Sequence, residues 1–493
     1  MNPDIKIPTF NDALPIDLFL KSSRSYIYDD LRQFEHVFLR YLTGIHYDFN
    51  KPLALGTSSS DELVFLIASC WRLGIPFVPL DPELPGRERD LLFQELEIGL
   101  FINEGEYENS SGTSFATVDI DRFALSRILH PDFTPEEWVE EHKKHIHPEQ
   151  FFGYFLTSGT TGVPKIVPLK RRQMLFSARG SAKNLQPGRN HLWLLSLPLH
   201  HIGGVSVILR SLLYGSGIYR TDGFDIARTV ELLQRDSRLA AASLVPTMLN
   251  RLMDRTDFSV HDDFQAILLG GGPIAPSLVD QCFNRGIPII SSYGMTESCA
   301  QIAANPLMRV GDLSRPRKSV GRVFDPNSIE IRNQEGESVT DGESGLIWLR
   351  GPQLFDGYLN RENNFDDDNW FNTGDFGHLN EQNELFIESR RTDLIISGGE
   401  NISPAEIEQA LKNNFDIRDA AVVGIPDKEW GQRVVAIVTT EDDRPIDRNH
   451  IQAKLKEVLQ SFKIPKEIIK TDFIPRTKTG KIKRDKVKDI FSK

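Results

Sequence analysis

The sequence predicts an α/β protein. A large N-terminal domain of parallel-rich sheets flanked by helices, with a local antiparallel β unit, precedes a small, mobile α+β C-terminal domain. Three observations predict this. Short apolar runs alternate with helical patterns for most of the chain. Several of those runs are apolar at nearly every position, as strands are when helices cover both faces of a sheet. The alternation then changes character twice, at 328 and again near 390. A length of 493 residues allows two or more domains with sizeable cores.

Taken in order, strands are expected at 53–56, 77–80 and 100–102, with helices over 61–72 and 87–96 between them. Past 150 the alternation resumes, with strands at 191–197, 240–245, 266–269 and 287–291 and helices at 205–214, 247–253 and 276–285. The runs 328–332 and 345–350, separated by a polar turn, read as the antiparallel unit. Beyond 391 a helix at 404–413, strands at 420–425 and 433–440 and a helix at 450–461 form the smaller unit. The boundary falls at 390–393 and divides the chain into 1–391 and 392–493.

Composition narrows the function. With 40% hydrophobic and 26% charged residues the chain is not disordered, and a net charge of −12 disfavours nucleic acid or an acidic membrane as partner. The last segment, 462–493, runs the other way, with 11 Lys/Arg against 4 Asp/Glu. A nucleic-acid arm is one reading, but in so acidic a chain a solvated face or a site for a phosphorylated small molecule is the better one. The three cysteines, Cys70, Cys282 and Cys299, have no paired spacing, so neither a disulfide framework nor a zinc site is expected and a reducing cytoplasm fits. The N-terminus has no leader pattern and no apolar run approaches a membrane span, so stable membrane insertion is not expected. His142, His145 and His147 could suggest a metal, but they fall in a polar, proline-containing stretch, where a solvated loop is the better reading.

The chemistry is concentrated in a few short stretches. Residues 154–168 read YFLTSGTTGVPKIVP, in which the run from Thr157 to Lys165 has no apolar face to bury, and short strands pin its ends. Gly159 and Gly162 permit close backbone approach, successive N–H groups can cradle an anion, and the hydroxyls with Lys165 add donors and charge. The spacing is not that of a Walker A loop, since Lys165 comes three residues after Gly162 and Ile166 follows it. LLGGGP at 268–273 ends an apolar strand in glycines, where bare backbone can lie against a flat ring. SSYGMTE at 291–297 follows another strand and offers an aromatic ring, a hydroxyl and a carboxylate at the end of the sheet where such folds bind ligands. NTGD at 372–375 puts a carboxylate on what reads as a turn. RRTDLIISGGEN at 390–401 and PRTKTGK at 475–481 complete the set.

In this order and at these intervals, the stretches resemble the adenylate-forming superfamily of acyl-CoA synthetases, peptide-synthetase adenylation domains and luciferases. The likeness runs from about 51 to 486, with the first 50 residues shorter and less like the family. It implies an enzyme that joins a carboxylic acid to the α-phosphate of ATP with Mg²⁺, expels pyrophosphate and passes the acyl group to the thiol of CoA. By position it implies that Thr157, Ser158, Gly159, Thr160, Thr161, Gly162 and Lys165 hold the β- and γ-phosphates. Glu297 would be the metal ligand and Thr296 would meet the α-phosphate, while Gly271, Gly272 and Tyr293 would line the adenine slot. Asp375 and Arg390 would hold the ribose, and Lys481 would bridge the attacking carboxylate and the α-phosphate. Thr392 would be the hinge about which the small domain turns, withdrawing Lys481 and bringing 397–401 toward the adenylate. Ser389 departs from the glycine the family usually has before the arginine.

Residues 197–215, with 268–273, look most like the o-succinylbenzoate-CoA ligase branch of menaquinone biosynthesis. That likeness implies His201 at the acyl pocket, guarding access of the thiol; Arg210, among apolar neighbours, is either a snorkelling edge residue or, as the likeness favours, a ligand for the second carboxylate of the substrate. Another aryl- or acyl-CoA ligase and a free-standing adenylation enzyme serving a carrier protein stay open. So does a nucleotide-binding regulator without turnover, although Lys481, Glu297 and Lys165 speak against that one. Whether the chain forms a homo-oligomer is also open.

Overall fold

The computed structural model describes residues 17–491, apart from 59, 83, 85, 106–115, 130–136, 144, 158–164, 309–317, 334, 360–361, 391–394, 398–399, 428–429, 442–444, 460 and 478–479. Two sheets form its centre. The six-stranded sheet runs in the order Ala116–Asp119, Leu100–Asn103, Leu53–Gly56, Phe77–Pro79, Phe151–Thr157, Lys165–Lys170, parallel except for its last pair. In the nine-stranded sheet, Ile289–Met295, Ala266–Leu269, Leu239–Leu244, Leu192–Leu195, Gly217–Arg220 and Leu18–Lys21 are parallel neighbours, with short antiparallel strands at both edges.

The helices Asp61–Leu73 and Ile202–Tyr214 pack on each other and are buried nearly all round, so one apolar core spans both sheets. Local chemistry sets their ends. Ser60 caps the first helix by accepting the Leu63 N–H at 3.1 Å, and Gly74 and Gly215 close the two helices in the left-handed region. Prolines at the first turn start the helices Pro246–Met253, Pro276–Asn284 and Pro404–Asn414. A buried ion cluster ties the first core helices together: the Glu35 carboxylate, on the helix Tyr28–Gly44, is bonded by Arg72 and meets Lys143 Nζ at 3.1 Å. Among the described residues no helix is long and apolar enough to cross a membrane.

An antiparallel sheet follows, Ser328–Arg332, Gly345–Arg350, Phe371–Leu379, Leu385–Arg390. After it come the hairpin Ile395–Ser397 with Glu400–Ile402 and a sheet of Ile417–Asp427, Gly431–Thr440 and Glu467–Lys470, covered by helices that include Pro404–Asn414 and Arg484–Phe491. This smaller unit has its own apolar core, with Ile407, Leu411, Val422 and Ala436 at its centre.

Three expectations need correction. NTGD at 372–375 is not a free turn but part of the strand Phe371–Leu379, with Gly374 at φ +73° where the ladder slips register. The slip imitates a turn locally, and only the pairing partners on either side reveal the strand. The strand expected at 287–291 continues to Met295, so Tyr293 lies within it. His142 is not on a solvated loop; it belongs to the short helix Glu137–Lys143, half-buried, with Nε2 2.9 Å from the Leu73 carbonyl and its ring against Phe49. Among the described residues no group of three or more His, Cys, Asp or Glu is placed to hold a metal.

Candidate active site

Thr157 and Lys165 end two antiparallel strands and face each other across the ladder, so the glycine–hydroxyl loop leaves and returns at one place. Ser158, Gly159, Thr160, Thr161 and Gly162, and the hinge position Thr392, lie outside the described residues. Lys165 Nζ sits 4.7 Å from the centre of the Tyr358 ring. The Tyr358 hydroxyl donates to Glu297 Oε1 at 2.6 Å. Lys165, Tyr358 and Glu297 therefore make a cation, a donor and a carboxylate in contact at one edge of the site. Glu297 belongs to a short 3₁₀ turn, Thr296–Ser298, at the end of the strand Ile289–Met295, and its carbonyl accepts the Phe355 N–H at 2.8 Å. Tyr358 escaped the sequence reading. Nothing marks it locally beyond the preceding Gly357, whose φ of +133° and contact with the Asn363 amide leave no room for a side chain.

The glycine shelf lies at the carboxyl end of the strand Ala266–Leu269. Gly271 has φ +76°, and added Cβ atoms at Gly271 and Gly272 would stand 3.4 Å from Val245 Cγ1 and 3.6 Å from Pro246 Cδ, so the peptides are open on their outer side. The Tyr293 hydroxyl donates to Asp375 Oδ2 at 2.7 Å, and both residues are buried. This bond joins the nine-stranded sheet to the antiparallel one, and Asp375 is in register with Arg390 at the end of the next strand.

The C-terminal turn is drawn tight. Thr477 N–H donates to the Lys481 carbonyl at 2.7 Å, Gly480 N–H donates to the Thr477 carbonyl at 2.9 Å, and Arg476 anchors the turn to Asp419 at 2.6 Å. Gly480 has φ +81° and presses on the large unit: a Cβ there would stand 2.5 Å from Thr247 Oγ1. Val245, Pro246 and Thr247 are consecutive, so the glycine shelf and the Lys481 turn touch the same short segment.

His201 stands at the first end of the helix Ile202–Tyr214, with its ring centre 4.3 Å from that of His200. Gly204 lets the start of the helix pack closely on the preceding backbone, since a Cβ would lie 2.4 Å from the Pro198 carbonyl oxygen. Crowding by protein, then the neighbouring His200 and Lys481, push the His201 imidazole down to about 4, against an opposing pull from Asp81. His201 is an exposed residue, so solvent screens part of that shift, but its direction leaves a neutral imidazole at pH 7. Arg210 lies deeper on the same helix, 1% exposed. Its guanidinium donates to Ser177 Oγ at 3.2 Å, and its Nε has no partner among the described residues. Burial lowers its pKa.

Chemically, these groups suit a polyanion and an acid: bare peptides, two lysines, one carboxylate steadied by a phenol, a neutral histidine and a buried arginine. A single steadied carboxylate suits Mg²⁺, which takes one or two protein carboxylates and completes its shell from phosphates and water.

The chain matches the family model described as AMP-binding enzyme over residues 13–359 and that described as AMP-binding enzyme C-terminal domain over 406–481. It is 38% identical over 442 residues to a 2-succinylbenzoate–CoA ligase of Listeria monocytogenes, with 88% of each chain covered. To the protein of the same name from Bacillus licheniformis it is 35% identical over 440 residues, again with 88% of each covered. In three dimensions it is similar to the o-succinylbenzoate CoA synthetase of Bacillus subtilis in complex with the acyl-adenylate intermediate OSB-AMP, with a TM-score of 0.81, 29% identity and 96% of each chain covered. The complex of that enzyme with ATP and magnesium ion gives a TM-score of 0.80 at 28% identity, covering 96% of this chain and 97% of that one.

Proposed function

The chain belongs to the AMP-binding enzyme family, and from that premise we propose an ATP-dependent carboxylate–CoA ligase that converts o-succinylbenzoate to o-succinylbenzoyl-CoA. The reaction has two steps. A substrate carboxylate oxygen attacks the α-phosphorus of ATP, the bond from that phosphorus to the bridging oxygen breaks, and pyrophosphate leaves. The thiol of CoA then attacks the activated carbonyl and AMP leaves.

The observation that carries this reading is the shared segment Val245–Thr247, which sets the Lys481 turn beside the glycine shelf. A cation there offsets the charge that gathers between the entering carboxylate and the α-phosphate. Gly271, Gly272 and Tyr293 take the adenine, and Asp375 with Arg390 the ribose. Thr157 and Lys165, with the loop between them, take the outer phosphates, and Thr296 the α-phosphate. Mg²⁺ at Glu297 would offset phosphate charge and favour departure of pyrophosphate. His201 borders the acyl pocket and Arg210 receives the carboxylate that is not activated. The small domain begins at 392 and turns about Thr392 between the steps. Three free, buried cysteines are in keeping with a reducing cytoplasm, where we place the enzyme.

The test is pyrophosphate release across a panel of o-succinylbenzoate, benzoate and medium-chain fatty acids, followed by the product mass with and without CoA. A preference for o-succinylbenzoate and a CoA-dependent thioester are expected. A preference for a monocarboxylate would overturn the substrate, and absence of release with every acid would overturn the chemistry.

A further inference from the structure

We propose, resting on the ligase reading above, that the segment 351–359 is a strap that fixes Glu297 relative to Lys165, and that Gln353 is the positioning residue within it. Gln353 acts through the backbone turn that carries Glu297 and touches no substrate itself.

Glu297 sits at the tip of a hairpin. The strands Ile289–Met295 and Ala300–Ala304 pair antiparallel with Met295 opposite Ala300, so the turn consists of Thr296 to Cys299. Its backbone is strained. Cys299 has φ +51° and Ala300 φ +70°, so two successive residues that are not glycine stand in a region that a Cβ disfavours. Strain of this kind persists only where the surroundings hold it. Ser298 holds part of it from within, its Oγ accepting the Met295 N–H at 3.0 Å and donating to the Ala300 carbonyl at 2.8 Å.

Gln353 holds the turn from outside. Its Nε2 donates to the Ser298 carbonyl at 2.8 Å and to the Gln301 carbonyl at 2.7 Å, one on each side of the two left-handed residues. Carbonyls only accept, so the NH₂ end of the amide must face them. Gln353 Oε1 accepts from Asn327 Nδ2 at 3.2 Å, and the Gln353 N–H donates to Asn327 Oδ1 at 3.2 Å. The side chain is fully buried, and both hydrogens and the oxygen of its amide are engaged.

The residues that follow grip the same turn. Phe355 N–H donates to the Glu297 carbonyl at 2.8 Å, and the Tyr358 hydroxyl donates to the Glu297 carboxylate at 2.6 Å. On its other side the strap is tied to the strand Lys165–Lys170 and to the helix Arg171–Ala182 that continues it. Leu359 N–H donates to the Ile166 carbonyl at 3.1 Å, Gln173 Nε2 to the Leu354 carbonyl at 2.8 Å and Arg172 to the Pro352 carbonyl at 2.9 Å. Asp356 bonds Arg172 and meets Lys170 Nζ at 2.8 Å. One short segment therefore joins the turn of Glu297 to the strand that begins at Lys165. A carboxylate set in advance has less freedom to lose when a metal–nucleotide arrives, and partners behind a metal ligand fix its direction.

The experiment measures binding rather than turnover. Mn²⁺ shares the oxygen ligands and octahedral geometry of Mg²⁺, and water-proton relaxation in the full chain with Mn²⁺ and ATP, without acid, reports the bound metal–nucleotide. Gln353→Met keeps length and packing but removes both donations. It should weaken Mn²⁺–ATP binding by about tenfold and leave the dissociation constant for AMP without metal unchanged. Adding Ala300→Gly, which takes a positive φ freely, should recover most of that loss. Unchanged Mn²⁺–ATP affinity overturns the positioning role, as does an equal loss of AMP affinity, the mark of a site loosened in general. Failure of Ala300→Gly to recover binding overturns strain as what Gln353 holds. Should Gln353→Met not fold, Asp356→Asn serves, since that residue is exposed and its loss spares the core. It should weaken Mn²⁺–ATP binding with AMP unmoved, and unaltered binding refutes the strap. A wild-type chain that binds neither ATP nor AMP refutes the ligase reading beneath, whereas wild-type binding with unaltered variants refutes this inference alone.

Discussion

Replacing Arg210 by methionine should raise or preserve the stability of the unliganded protein while it damages recognition of o-succinylbenzoate. Arg210 is 1% exposed, one of its nitrogens bonds a neutral hydroxyl at 3.2 Å, and its Nε is without a partner among the described residues. The ionisable groups acting on it are Tyr214 and Cys299, and burial pushes both up, Tyr214 to about 12, so neither supplies a countercharge at neutral pH. A buried charge held so thinly is expensive, and an apolar residue of similar length in such a place is neutral or stabilising by about 1–4 kcal/mol. The second carboxylate of the substrate would be the missing partner. Removing one member of a buried charge pair costs about 2–5 kcal/mol, which is a rise in KM of about 30-fold to several thousandfold. KM for ATP should change little if Arg210 meets the acid, as proposed, and not the nucleotide. Arg210→Lys should recover part of the loss, since a point charge cannot reproduce the planar fork. The assays are thermal unfolding and pyrophosphate release at varied substrate. A methionine variant with a lowered Tm and an unchanged KM for o-succinylbenzoate would mean that Arg210 serves the core, and the argument would fail.

Other perturbations separate the remaining roles. Lys481→Ala should slow adenylation by about a hundredfold or more, as loss of a donor to transition-state charge does, while thioester formation from supplied acyl-adenylate persists; equal loss in both steps would refute the two-arrangement scheme. Tyr358→Phe keeps the ring under Lys165 and removes the bond to Glu297, so the Mg²⁺ concentration for half-maximal pyrophosphate release should rise by about tenfold, and an unchanged Mg²⁺ curve would show that the phenol does not steady the carboxylate. Glu35→Ala leaves Arg72 and Lys143 facing each other without their shared carboxylate and should cost about 3–5 kcal/mol of stability by denaturant titration, with KM values unaltered.

What the sequence by itself determined was local. The strand Leu53–Gly56, the helix Asp61–Leu73 and the glycine shelf are legible because period, capping residue and glycine placement act over a few neighbours. The motif order was equally legible, and with it the family and the chemistry. The residues that complete the site were not, because their meaning depends on partners far along the chain. Tyr358 matters only because folding brings it between Lys165 and Glu297. NTGD reads as a turn until Gly345–Arg350 and Leu385–Arg390 pair on either side of it. The strands Leu18–Lys21 and Ser25–Ile27 are too short to stand out, and they find their place only as the edge of a sheet whose next strand is Gly217–Arg220. The isolation of Arg210 and the seating of Gly480 on Thr247 are likewise invisible in one dimension. Backbone preference is decided by nearest neighbours, whereas burial, charge compensation and the meeting of groups are set by packing between segments hundreds of residues apart, so only the tertiary structure decides them.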